Sequence, residues 1–481
     1  VNLATPNLRR ALGLCAALTV CALLLVPGAT PGLSGEGRLT LAVFTAATCA
    51  WIGTSIDDTY IALGAGLALT VTGVISSETL FSTLGDETVW LLICSFVLAA
   101  AVARTGLAGR AAAFLVTGAR TVRQLTHLTT AALLVTAFAV PATSGRAALA
   151  LPVFLALAHA LAERRRLVVM LALLFPTVIL LSAVATLIGA GAHLITVKVL
   201  WEQAGERIGF VEWLLLGLPL AVVTSHLAAE AVLLTTTRRA DRKGRVRITA
   251  ERLQEQSDTP VTGPLTTAEA RCVLLLGTVV LLWCSEPVHR VSPAVVALIG
   301  AVVAASPALG TVRMKDGLRT VPWPLLLFMA ATMAMGAALA SSGAAKWLVG
   351  GVPGGSSVPA WAFLAAVVAV STAAHLVLQS RSARSSVLIP LVVAAAVGAG
   401  VNPVAAALAS TAAAGFCHTL PASAKPVALY ADLPESVPTY TPRDLLRLSA
   451  VLAPLTAGVV LLFALTLWPL LGVPVHLETQ P

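Results

Sequence analysis

Charge is scarce in this chain, and acid is scarcer than base. Only 11% of its 481 residues are charged, with 22 Asp and Glu against 31 Lys and Arg. A soluble domain carries about 25% charged residues. At 58% hydrophobic residues and a mean hydropathy of +0.91, the composition excludes an ordinary soluble fold. No CxxC pair occurs among Cys15, Cys21, Cys49, Cys94, Cys272, Cys284 and Cys417, so neither a disulfide framework nor a zinc site is expected. The chain also lacks H-E-x-x-H, G-x-S-x-G and paired membrane aspartates, which argues against a membrane enzyme. The apolar runs are continuous and do not alternate, which excludes a β-barrel.

Many runs approach the ~20 residues needed to span a bilayer. The expected fold is an all-α polytopic membrane protein. We place about eleven transmembrane helices, near 11–27, 39–54, 59–76, 88–103, 167–199, 213–234, 271–285, 293–309, 322–342, 403–431 and 445–471. The first follows Arg9-Arg10 and resembles a signal peptide, but is read as an uncleaved helix. Two apolar regions, 126–162 and 360–400, break midway, at Pro141–Gly145 and Gln379–Ser382. Their limbs are too short to cross a core of about 30 Å. They read as re-entrant hairpins with tips at depth, where irregular backbone needs protein or a wet cavity around it.

Similar residues recur about half a chain apart: Trp51 and Trp283, Ala62-Leu63 and Ala297-Leu298, Trp90 and Trp323, Gly106 and Gly343. An odd number of spans separates them, so two inverted repeats are expected, 39–237 and 271–472, after an N-terminal helix in 1–38. Inverted repeats with broken elements at the midplane are a transporter signature. The polar linker 238–270 holds R-R-A-D-R-K-G-R-V-R. It is read as a cytoplasmic loop at lipid headgroups, with no nucleic-acid role. Most Lys and Arg fall in loops on one side if the N-terminus is cytoplasmic and the C-terminus outside. The first hairpin then opens to the cytoplasm and the second outward. The expected location is the plasma (inner) membrane.

Arginine within a membrane segment costs roughly 2.5–3.5 kcal/mol. Yet T-S-G-R-A-A-L-A-L-P at 143–152 and R-S-A-R-S-S-V-L-I-P at 381–390 align on their prolines, matching Ser144 with Ser382 and Arg146 with Arg384. A guanidinium offers two parallel donors to an oxyanion. Helix N-termini beyond each tip add positive dipole ends. The candidate substrate-binding residues are Arg146, Arg384, Ser144, Ser382, Arg381, Ser380, Thr143 and Lys425. Each arginine could instead cap broken-helix carbonyls. His193 is a candidate proton carrier. His226 and Glu230, one turn apart, could pair. Apart from Glu230, no acid falls within a predicted span, so the site should select a small anion.

These features resemble the divalent anion/sodium symporter family over roughly 39–471. The resemblance rests on the two tips, Ala142-Thr143-Ser144 before Leu151-Pro152 and Ser380-Arg381-Ser382 before Ile389-Pro390. It extends to the breaks Gly189-Ala190-Gly191-Ala192-His193 and Ala424-Lys425-Pro426-Val427, and to the helix from Glu87 to Leu107. It implies a secondary active transporter of a dicarboxylate, sulfate or related oxyanion, bound between two tips and moved by alternating access, and a homodimer. The family carries Asn at both tips and after both breaks; here Thr143, Arg381, His193 and Val427 stand there. No cofactor is expected, and sodium coupling is not expected beside these arginines. The competing reading is a cation/proton antiporter or arsenite-type exporter of the same superfamily.

Overall fold

A computed structural model describes residues 26, 30–246, 248–249, 254, 262–350 and 358–477. Most of the expected first helix, 11–27, lies outside the described residues.

Helix follows helix, and the same order occurs twice. The first half runs α1 (Gly35–Gly53), α2 (Asp58–Val71), α3 (Glu87–Thr105), α4 (Leu107–Val116), α5 (Val122–Ala139), α6 (Thr143–Ala160), α7 (Arg165–Leu181), α8 (Gly191–Ala204) and α9 (Phe210–Thr236). The second runs α10 (Thr267–Cys284), α11 (Pro293–Ala304), α12 (Trp323–Ser341), α13 (Ala344–Gly350), α14 (Ala360–Ala373), α15 (Arg381–Gly398), α16 (Pro403–Ala413), α17 (Lys425–Ala431) and α18 (Pro442–Leu462). The helices start where short polar side chains satisfy free backbone N–H groups. Asp57 accepts from Thr59 N and Asp86 from Thr88 N. Thr266 with Glu269, and Thr441 with Asp444, form capping boxes.

Residues paired across the halves do the same work. The Trp51 indole donates to the Asp58 carbonyl at 3.2 Å, and Trp283 to the Pro293 carbonyl at 3.0 Å. Each ties the end of one helix to the first residue of the next. Gly106 and Gly343 turn the chain with φ of +71° and +74°, a conformation that penalises any Cβ.

Eight helices among the described residues are long and apolar enough to cross a membrane. Two of them, α6 and α15, begin at the expected tips; at 18 residues each they are longer than the short limbs expected there. Several expected spans are shorter than anticipated: α2, α11 and α16 join α14 among the apolar helices of 10–17 residues. The stretch 403–431 is two helices, α16 and α17, because 414–424 leaves the helical path. The same happens between α7 and α8.

Backbone contact holds the first break in shape. A Cβ on Gly189 would lie 2.1 Å from the Ala183 carbonyl oxygen, and one on Gly217 would lie 2.1 Å from that of Val184. Only glycine permits such an approach. Trp213 donates to Val184 O at 3.0 Å, and the Thr186 hydroxyl to Ala137 O at 3.0 Å.

Apolar packing forms two large cores. One takes buried residues from α2, α3, α8, α12, α15 and α16. The other takes them from α5, α6, α7, α17 and the start of α18. Each broken helix thus has one piece in either core. The hairpins pack across the halves, α15 against α8 and α6 against α17.

Candidate functional site

Both tips and both breaks meet at one cavity of about 430 Å³. Thr143 and Ser144 line it from the first tip, and Ser380, Arg381, Ser382 and Arg384 from the second. Ala190 and Gly191 come from the first break, Ala424 and Lys425 from the second. The breaks are near-identical in backbone: Ala190 has φ −157°, ψ 147°, and Ala424 φ −156°, ψ 144°. That extended residue aims the next helix's first N–H groups into the cavity. Helices α6, α8, α15 and α17 all begin there, so positive dipole ends converge.

The first tip is strained. Ala142 lines the cavity and carries φ +65°. A non-glycine residue held this way costs of order 1–3 kcal/mol. The second tip reaches its helix through Ser380, whose hydroxyl accepts from Ala383 N at 3.3 Å.

Arg384 is fully buried and reaches the cavity. Nη1 donates to the Phe416 carbonyl at 3.2 Å. Nε and Nη2, the edge that grips a carboxylate in a bidentate pair, have no partner among the described residues. Nor have the buried hydroxyls of Ser385 and Ser386. Unpaired buried donors of this kind are costly and ask for a ligand or water.

Arg146, at the equivalent position, is placed differently from the sequence expectation. It does not line the cavity. Nε donates to Thr136 Oγ1 at 3.0 Å and Nη1 to Ile179 O at 3.0 Å. Nη2 donates to Leu133 O and to Ser182 Oγ, both at 2.7 Å. Its charge is consumed at the C-terminal ends of α5 and α7, where carbonyls face outward. Arg146 is therefore a positioning residue behind the first tip.

Arg381 bridges the halves. Nη1 points to Leu180 O at 3.4 Å, and Nη2 donates to His193 Nε2 at 3.1 Å. Gly415 makes room, since a Cβ there would lie 3.1 Å from Nη2. His193 differs from the expected proton carrier. Its Nδ1 lies 3.0 Å from Thr186 O, and its ring stacks on Trp213 with centroids 4.8 Å apart. Arginine only donates and a carbonyl only accepts, so His193 is neutral with its proton on Nδ1. A second proton would set two donors face to face. His193 orients Arg381.

The sequence reading missed Asp58. It begins α2, lines this cavity, and also lines an adjoining cavity of about 650 Å³ formed by 51–56 and the second tip. It shares this lining with Ser380 and Lys425. It lay at the edge of a predicted span and so was not counted as an acid at depth. The expected His226–Glu230 pair also resolves otherwise. Arg123 grips Glu230 at 2.6 and 2.8 Å, and His127 bridges Glu230 at 2.6 Å and His226 at 2.8 Å. This cluster ties α5 to α9, away from the cavity.

Residues 8–473 match the family model described as the sodium:sulfate symporter transmembrane region. The chain belongs to the sodium:sulfate symporter family. A curated relative, described only as a membrane protein of Cupriavidus necator, is 24% identical over 97% of this chain and 94% of its own length. The YdaH transporter of Alcanivorax borkumensis, a crystal structure described as having an unusual topology, is similar in fold. Its TM-score is 0.54 at 17% identity, over 98% of this chain and all of that one. As a member of the sodium:sulfate symporter family, the chain is a multi-pass membrane transporter, and the enzyme reading falls away.

Proposed function

We propose that this chain is a secondary transporter of a small divalent oxyanion, such as sulfate or a dicarboxylate, bound between the two tips. The free Nε–Nη2 edge of Arg384 carries this reading. It is a buried donor pair inside a cavity onto which helix N-termini converge. Arg381, Arg384 and Lys425 set three cations there against one carboxylate, Asp58, for a net charge of +2. That balance suits a dianion and disfavours a cation, which weighs against an antiporter of cations. Neutral arsenite would leave the guanidinium edge without a charged partner.

Thr143, Ser144, Ser380 and Ser382 add hydroxyls, and α6, α8 and α15 add backbone donors. The two halves take opposite orientations in the bilayer, with the N-terminus cytoplasmic. In that orientation the ends of α2 and α12 that border the cavity, at Asp58, Pro322 and Pro324, are cytoplasmic. The conformation is then inward-facing, and the larger cavity at 51–58 is its vestibule. Alternating access would close this side and open the other.

The test is thermal unfolding of the purified protein with sulfate, succinate, chloride and arsenite. Sulfate or succinate should raise the midpoint in the wild type, and not in Arg384→Ala. A shift with arsenite and none with any dianion would refute the reading. A ligand present at a hundred times its Kd stabilises by about 2.7 kcal/mol, well within detection.

A further inference from the structure

In broken-helix transporters, the C-terminal ends of half-helices and nearby unwound carbonyls hold the coupling cation. Here those groups already face cations that belong to the chain. At the end of α7, Arg146 takes Ile179 O and the Ser182 hydroxyl, and Arg381 takes Leu180 O. Beyond α16, Arg384 takes Phe416 O. His193, after the first break, spends its lone pair on Arg381. A sodium ion needs oxygen ligands and distance from other cations. The donor set at both breaks offers guanidinium N–H groups instead, so the residues present do not fit sodium.

A tethered cation differs from sodium in one decisive way: it cannot leave with the substrate. When a symporter releases its anion and its sodium, the empty site returns with its charge relieved. This site, once empty, keeps its net +2. Carrying unpaired charge through an apolar environment is unfavourable. A bound dianion cancels it.

We infer that Arg381 and Arg384 stand in for coupling cations, making this protein a sodium-independent, obligatory exchanger of divalent anions. The inference rests on the anion-transport reading above. It predicts transport that depends on anion on both sides of the membrane and ignores sodium.

The experiment uses the full chain in liposomes, with labelled sulfate and labelled succinate outside. The vesicles are either preloaded with the same unlabelled anion or left empty, in sodium or in choline. Uptake should be at least tenfold faster into preloaded vesicles, and equal within twofold in sodium and choline. Uptake into empty vesicles at the preloaded rate, or a tenfold requirement for sodium, overturns the inference and leaves anion transport standing. No uptake of either anion under any condition overturns the transport reading beneath it. Arg381→Lys should retain measurable exchange, and Arg381→Asn should lose it. Wild-type exchange in folded Arg381→Asn counts against the inference. Should that variant fail to fold, the wild-type comparison of sodium with choline decides.

Discussion

Truncating Arg146 and Arg384 should have opposite consequences, although the two occupy equivalent places in the two halves. Arg146→Ala removes four hydrogen bonds at 2.7–3.0 Å from a fully buried guanidinium. It leaves the ends of α5 and α7 facing one another without a cation. At about 1.5–3 kcal/mol for each charge-assisted bond, the four sum to about 6–12 kcal/mol before the freed groups relax. Arg384→Ala removes one bond, at 3.2 Å, worth about 1.5–3 kcal/mol. It also abolishes two buried N–H donors with no partner, each costing about 1–3 kcal/mol. The sum for Arg384 runs from about 1 kcal/mol destabilising to about 4.5 kcal/mol stabilising. With an unfolding entropy of about 2.1 cal/mol/K per residue, 481 residues give about 1 kcal/mol for each degree of Tm. Arg146→Ala should therefore melt more than about 5 °C lower, and Arg384→Ala no more than about 1 °C lower than the wild type. Intrinsic tryptophan fluorescence during heating, with and without sulfate or succinate, reads both effects. Arg146→Ala should keep an anion-induced rise above its own lowered baseline, and Arg384→Ala should show none. The reasoning fails if Arg384→Ala loses as much stability as Arg146→Ala while keeping its response to anion.

Three further outcomes follow from the same geometry. Asp58→Asn raises the net charge of the cavity lining by one, so sulfate should bind several-fold more tightly, as read by its thermal shift; weaker binding would remove Asp58 from the site. Gly189→Ala forces a Cβ to 2.1 Å from a backbone oxygen, and should abolish folded protein on size-exclusion chromatography, whereas Gly64→Ala, which meets nothing within 4 Å, should be silent. Ser55→Cys, with exposed Cys284 replaced, should react with an impermeant thiol reagent from the cytoplasmic face only; reaction from outside reverses the assigned orientation.

Much of the site was legible because its cost is visible in sequence. Arginines in apolar runs and prolines fixing their register marked both tips, and all but Arg146 and His193 of the chosen residues line the cavity. The differing fates of the two matched arginines were not read from the sequence, and they show only in their partners. Thr136 and Ser182 supply hydroxyls to Arg146; the equivalent positions in the second half, counted from the tip prolines and from the second break, are Ala374 and Phe416. At those two positions the second half offers no side-chain hydroxyl. Asp58 was lost for a different reason: hydropathy places a residue along the membrane normal, while its place in one lining with Lys425 and Ser380 depends on how α2 packs against α12. Helix lengths failed between α16 and α17 because hydropathy ran 403–431 together as one span, although the break at Ala424-Lys425-Pro426-Val427 was already marked by the family resemblance.

The division of each broken helix between two cores has a mechanical meaning. If one core shifts rigidly against the other, the residues joining the pieces, 182–190 and 414–424, must absorb the shift in their own torsions. Those torsions also set where the first N–H groups of α8 and α17 point. Displacement and anion affinity are then two readings of the same few angles. A load that bends the joints would act on the anion as a change in its concentration, and filling the site would act on the joints as a force.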